Sequence, residues 1–350
     1  MSRAQMMTGC YGRRVGINGA LMPANRAGLN PNEKTVAALL KEQGYVTKCV
    51  GKWHLGDQPP YLPTAHGFDE YFGIPYSNDM KPVALLRGTK LEVANPNQEV
   101  LVDEYTTEAL KFIESNKERP FFLYLPHTAV HVPLYPGKNF AGKSANGAYG
   151  DWVEEVDWSV GQVLEQLRKL GLDKNTLVLF TSDNGPWLQY YDEAGVATPL
   201  KGGKFSAWEG GSREPSIAWW PGKIPAGSEC TAVLSQIDVL PTLVGLAGGK
   251  VPSERKIDGV DMWKQLSGQS KDSPHEVLYY WQHNGLGAVR SGDWKLIVQW
   301  QNPIPDRKNR EKLNSELTVE ELTAKRAAEA EVQKAGKAAF RPQLYNCLLY

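Results

Sequence analysis

Apolar and polar positions follow two rhythms along this chain of 350 residues. Residues 32–43 place apolar side chains at helical spacing, with Asn-Pro-Asn at the entry and Gly44 as the stop. An extended run at 46–53 follows. Residues 105–115 return to the helical period, and Pro120 leads into Phe121-Phe122-Leu123-Tyr124-Leu125, which suits a buried strand. Residues 153–170 predict a long amphipathic helix ending before Gly171, and Thr176-Leu177-Val178-Leu179-Phe180 predicts a further strand. Residues 238–246 predict another helix, with proline near its first turn. Nearly unbroken apolar strands alternating with helices predict an α/β fold with a mostly parallel central sheet and helices on both faces. After about residue 275 the rhythm shortens: 278–281, 287–290 and 294–298 read as strands joined by polar turns, a smaller C-terminal antiparallel sheet. Residues 307–339, rich in Ala, Glu and Lys but weakly amphipathic, read as an exposed helical insertion. The expected division is 1–274 and 275–350, and no internal repeat is visible.

Composition narrows this picture only a little. An apolar share of 41% supports a substantial core. Lys plus Arg and Asp plus Glu number 39 each, which argues against a partner held by bulk charge, such as nucleic acid or a membrane surface. The 11 Trp and 15 Tyr suit a carbohydrate cleft and an aromatic core equally well. Cys10, Cys49, Cys230 and Cys347 are widely spaced, without a CxxC pair, and give neither a zinc signal nor a disulfide framework. No apolar run has the length of a membrane span, and Met1-Ser2-Arg3 opens no apolar leader segment.

The chemistry concentrates at predicted strand ends, where ligands of open α/β sheets sit. Gly44-Tyr45-Val46-Thr47-Lys48-Cys49-Val50-Gly51-Lys52-Trp53-His54-Leu55-Gly56 sets a cation and an imidazole two residues apart between glycines. In an extended chain Lys52 and His54 would share a face, one holding negative charge and the other moving a proton near neutral pH. The second strand runs into His127 and His131, and the third into Ser182-Asp183-Asn184-Gly185. Asp183 beside Asn184 offers hard oxygen ligands for Ca²⁺ or Mg²⁺, although D-N-G alone is most often a turn. Lys201-Gly202-Gly203-Lys204 and 208–215 could bring Lys204 and backbone N–H groups to an anion, or form a plain surface loop. No P-loop, G-x-G-x-x-G or G-x-S-x-G motif is present. Cations, histidines and a hard-metal half-site suit hydrolysis of an anionic ester.

These stretches together resemble the sulfatases of arylsulfatase type, in the alkaline-phosphatase superfamily. G-Y-x-T-x-x-x-G-K-W-H-L-G resembles the second sulfatase signature. His66-Gly67-Phe68-Asp69-Glu70-Tyr71-Phe72-Gly73-Ile74-Pro75-Tyr76-Ser77-Asn78-Asp79 resembles the segment that follows it. Ser182 to Gly185 is similar to the metal-binding pair, and Gly203-Lys204 with Glu209-Gly210-Gly211-Ser212-Arg213-Glu214-Pro215 to the later glycine-rich run. The resemblance implies a sulfuric-ester hydrolase whose substrate is a small-molecule or carbohydrate sulfate ester. Lys52 and His54 would bind sulfate and assist the bridging oxygen. His131 would bind sulfate or act as acid, with His127 fitting the pattern less well. Lys204 would contact sulfate, and Asp183 and Asn184 would ligate Ca²⁺, with Mg²⁺ as the alternative.

The resemblance breaks at both ends. Ser2-Arg3-Ala4-Gln5-Met6-Met7-Thr8-Gly9 matches the latter part of the first signature, C-x-P-S-R and onward. The cysteine that the family converts to formylglycine would lie two residues before Met1, leaving Arg3 as that motif's one charged survivor. Cys10, in Cys10-Tyr11-Gly12-Arg13-Arg14, stands after the T-G and is a poor substitute. Gln343-Leu344-Tyr345-Asn346 resembles a family stretch that normally continues further. The resemblance therefore implies truncation at both ends, a first strand missing from the sheet, and poor solubility of the chain as it stands. For the full-length protein it implies a formylglycine-generating enzyme as partner and a periplasmic, secreted or lysosomal setting. Two other readings stand beside it: a phosphate-ester hydrolase of the same superfamily with a Ser or Thr nucleophile, and a catalytically inactive sulfate-ester-binding fragment.

Overall fold

The computed structural model describes residues 1–23, 26–283, 285–302 and 318–347. Its strands in chain order are β1 (Val46–Val50), β2 (Glu70–Gly73), β3 (Ala84–Arg87), β4 (Lys90–Ala94), β5 (Phe121–Tyr124), β6 (Val178–Thr181), β7 (Ser216–Trp219), β8 (Leu278–Gln282), β9 (Gly285–Ser291), β10 (Trp294–Ile297) and β11 (Gln343–Asn346). The helices are α1 (Ser2–Thr8), α2 (Val36–Glu42), α3 (Leu101–Ser115), α4 (Gly147–Lys169), α5 (Val239–Leu246), α6 (Trp263–Leu266) and α7 (Val319–Ala339). Of the expected insertion at 307–339, residues 307–317 lie outside the described residues.

Residue contacts divide the chain into two units. The first comprises Met1–Phe180 and Ile217–Pro274. Its sheet has the order β4-β3-β2-β1-β5. β1 runs parallel to β2 and to β5, whereas β2-β3 and β3-β4 are antiparallel, so the sheet is mixed. Strand alternation sorts its side chains onto two cores. Cys49 and Tyr71 face α1, α2 and α5 through Met7, Val36, Leu40 and Leu240. Val50 and Phe72, one residue on, face α3 through Leu101 and Tyr105. Helices therefore cover both faces, as the unbroken apolar strands predict. α2 starts later than its periodicity suggested, because Thr35 caps it by accepting from the Ala38 N–H.

The third predicted strand departs from expectation. β6 pairs with β7 in a separate two-stranded sheet, and β5 is an edge of the larger sheet among the described residues. Only β1 and β5 thus deliver predicted site residues from one sheet. Apolar runs fix that a strand is buried, and they do not name its neighbour.

The second unit comprises Thr181–Ser216 and His275–Tyr350. Its antiparallel sheet has the order β11-β10-β9-β8, one strand beyond those the apolar runs predicted. The unit joins 181–216 to the C-terminal segment. The physical reason is a buried ion cluster. Glu209 meets Lys295 Nζ and Arg290 at 2.8 Å each, and the Lys295 ammonium lies 3.4 Å from the Tyr280 ring centroid. The Ala207 N–H also donates to Gln301.

Candidate active site

The carboxyl end of β1 gathers one half of the candidate site, all within the first unit. The strand stops at Val50, but its backbone pairing runs on: Gly51 N–H donates to Phe72 O, Lys52 N–H to Pro126 O and Trp53 N–H to Ile74 O. His54 N–H then donates to Pro75 O, on the same side as Trp53, so the alternation breaks there. His54 has φ 61, in the left-handed region. Lys52 and His54 therefore do not share a face by strand alternation, as their spacing had suggested. What allows the turn is Gly51, at φ 124, where any Cβ would run into Pro126 O.

Lys52 and His54 are each held by other contacts. Arg3 on α1 donates to Lys52 O at 2.6 Å. Lys52, 5% exposed, donates through Nζ to Ser77 Oγ at 3.0 Å. His54 is partly open to solvent, yet burial, then Lys52, then Arg3 hold its pKa well below the usual imidazole range. Its Nε2 lies 3.1 Å from Leu21 O, which can only accept, so in the neutral ring Nε2 carries the hydrogen and Nδ1 the lone pair.

His131 joins this group through the turn after β2. Asn78 donates to His131 O and Pro133 O at 3.0 Å each. His131 Nδ1 donates to Val132 O at 2.6 Å and stands 3.7 Å from Asp79 Oδ1. Ser77 and Asn78, which had been assigned no role, thus tie Lys52 to His131. Their position after a strand parallel to β1 was the available signal.

His127 and Cys10 separate from the site. His127 is half-buried with its Nδ1 enclosed, its Nε2 is bonded to Ser159 Oγ at 3.2 Å, and desolvation of the ring lowers its pKa to about 4. Cys10 is buried in the core beneath α1, with its Sγ 3.4 Å from Lys256 O. Neither is placed to attack a substrate.

The second unit carries the other predicted residues. Gly185 follows Asp183 and Asn184 where a Cβ would strike Gly210 O, so backbone packing there requires glycine. The Lys204 N–H donates to Pro186 O at 2.8 Å, tying its loop to the same turn. Asn184 Nδ2 donates to Gly185 O, which keeps Oδ1 as the atom to meet a cation. Glu214 was not foreseen as a site residue. Its Oε1 is buried without a hydrogen-bond partner among the described residues, and burial together with Asp183 pushes its pKa up to about 7. Crowded carboxylate oxygens of this kind fit a hard divalent cation. Among the described residues no three His, Cys, Asp or Glu side chains form a cage, so Asp183 and Asn184 fit as part of a coordination sphere. A cavity of about 340 Å³ is lined by Pro186, Val196, Leu200, Arg213 and Glu214 itself.

The family follows from comparison with known proteins. A family model described as Sulfatase matches residues 1–249, and the chain belongs to the sulfatase family. It is 42% identical over 330 residues to N-acetylgalactosamine-6-sulfatase of Mus musculus, covering 86% of this chain and 63% of that protein. It is 37% identical over 335 residues to arylsulfatase A of Bos taurus, covering 87% and 66%. The chain therefore spans a little under two thirds of these curated relatives' length. Among solved structures it resembles BT33336S-sulf, described with the metabolism of multiple glycosaminoglycans by Bacteroides thetaiotaomicron. That likeness has TM-score 0.81 and 28% identity, and covers 99% of this chain and 82% of that one.

Proposed function

We propose that the chain is the core of a sulfuric-ester hydrolase acting on a sulfated carbohydrate. The observation that carries this reading is the cluster of Arg3, Lys52 and neutral His54 at the end of β1. Two cations that depress a nearby imidazole make a pocket suited to a tetrahedral anion. Lys52 and Arg3 would hold sulfate charge, and the family resemblance gives Lys204 a sulfate contact. His54 and His131 would handle protons near the leaving oxygen. Asp183 and Asn184 would ligate Ca²⁺, which supplies charge neutralisation. The nucleophile of this reading is formylglycine, on the cysteine that the family motif places two residues before Met1, formed by a formylglycine-generating enzyme in a periplasmic, secreted or lysosomal route. The sugar sulfate named for the mouse relative, and the glycosaminoglycans named with BT33336S-sulf, support a carbohydrate substrate.

The test is to express the full-length frame with the generating enzyme and assay aryl sulfate against aryl phosphate. Sulfate turnover is expected, with Lys52→Ala lowering kcat/KM by roughly 10²–10³. Preferential phosphate turnover would favour the phosphate-ester reading. Tight sulfate-ester binding without turnover would favour a binding protein.

A further inference from the structure

The loop that carries Lys204 also carries a cluster of aromatic rings. Trp187 and Tyr190 have ring centroids 4.7 Å apart, and Trp187 and Phe205 5.5 Å apart in an edge-to-face arrangement. The Lys204 ammonium lies 4.4 Å from the Trp187 centroid and 5.3 Å from that of Phe205. Phe205 is 62% exposed and sits at φ 70. A bulky residue in the left-handed region costs on the order of 1 kcal/mol or more. With its ring mostly in solvent, the contacts with Trp187 and Lys204 offset only part of that. Gly203 beside it approaches Pro186 O so closely that no Cβ fits, and Ser206 Oγ donates to Gly203 O at 2.7 Å. The turn is thus built to hold Lys204 and Phe205 next to Trp187.

We propose that Trp187, Tyr190 and Phe205 form the ring-binding wall of the leaving-group subsite, packing on the pyranose face of a sulfated sugar whose sulfate meets Lys204. This rests on the sulfate-ester reading. Aromatic faces suit the C–H face of a sugar ring, and a cation beside them selects the sulfated one.

Calorimetric titration of the full chain with galactose 6-sulfate and with inorganic sulfate tests this. Phe205→Ala should weaken galactose 6-sulfate about tenfold, roughly the worth of one aromatic contact, and leave inorganic sulfate within about twofold; Phe205→Tyr should restore the sugar. Phe205→Gly suits the backbone, so it should melt no lower than the parent while losing the sugar. Undiminished galactose 6-sulfate binding in Phe205→Ala, equal loss of both ligands, or a lower melt for Phe205→Gly would overturn the platform. If the parent chain binds neither ligand, the sulfate reading fails and this subsite falls with it.

Discussion

His54 carries the most information at the scale of a single residue. It adopts a left-handed backbone and is held neutral by burial and by Lys52 and Arg3. An anion seated against those two cations removes their repulsion. Sulfate binding should therefore raise the His54 pKa, and Lys52→Met should raise it without sulfate while blunting the response to sulfate. NMR titration of the labelled imidazole, with and without sulfate, reads both, and a resonance indifferent to sulfate would remove His54 from the pocket. The sequence made Lys52 and His54 legible through their glycine frame and spacing. It did not make legible how they meet. The strand ends at Val50, and Lys52 is held by Arg3 and by the turn at Ser77 while His54 bonds Leu21 O, contacts between residues far apart in the chain. Local spacing holds no record of such contacts.

At the scale of elements, two devices hold the site in place. The first is the close approach at Gly51, where β1 leaves its ladder beside the exit of β5. Gly51→Ala forces a Cβ into Pro126 O at φ 124 and should destabilise the first unit by at least ~2 kcal/mol. A urea midpoint unchanged from the parent would show that the backbone yields instead. The second is Glu209, 4% exposed between Lys295 and Arg290. Burial lowers the Lys295 pKa, so the pair depends on its carboxylate partner. Glu209→Ala takes the carboxylate away from buried Lys295 and half-buried Arg290 and should cost about 3–5 kcal/mol, measured by denaturant unfolding. A loss under ~1 kcal/mol would mean that solvent reaches them readily. Most elements were legible because a buried strand needs an unbroken apolar run and a helix its 3.6-residue period. The partner of β6 was not, and neither was the joining of 181–216 to the C-terminal sheet. Both follow from pairings and ion clusters between distant segments, which apolar rhythm does not encode.

At the scale of the whole molecule, the desolvated histidines set a pH limit on stability. Burial lowers both His66, packed against Trp53, and His127, bonded to Ser159, to about 4, and His54 is depressed as well. The sign follows from proton counting. Below the ordinary imidazole value near 6.5 the unfolded chain takes up protons that the folded chain refuses, so stability falls as pH drops. The loss begins near pH 6.5 and is complete only near the folded values around 4. For His66 and His127 it is on the order of 3 kcal/mol each across that window. Depressed carboxylates act in the same direction at still lower pH: Asp69 and Glu108 lose their lysine and arginine partners when protonated. Glu214 opposes this, since its carboxyl, pushed up to about 7, takes up a proton in the folded chain before the unfolded one does. The histidines together outweigh it, so the melting temperature should decline from pH 7 to pH 5. His127→Gln, which can still reach Ser159, should flatten part of that slope. A lysosomal setting would then require something that binds the folded state at acid pH, and a sulfate ester or Ca²⁺ at the proposed site would do so by mass action. Melting curves at pH 5 with and without sulfate and Ca²⁺ separate the cases. A profile flat from pH 7 to 5 in their absence would show that the histidines are solvated.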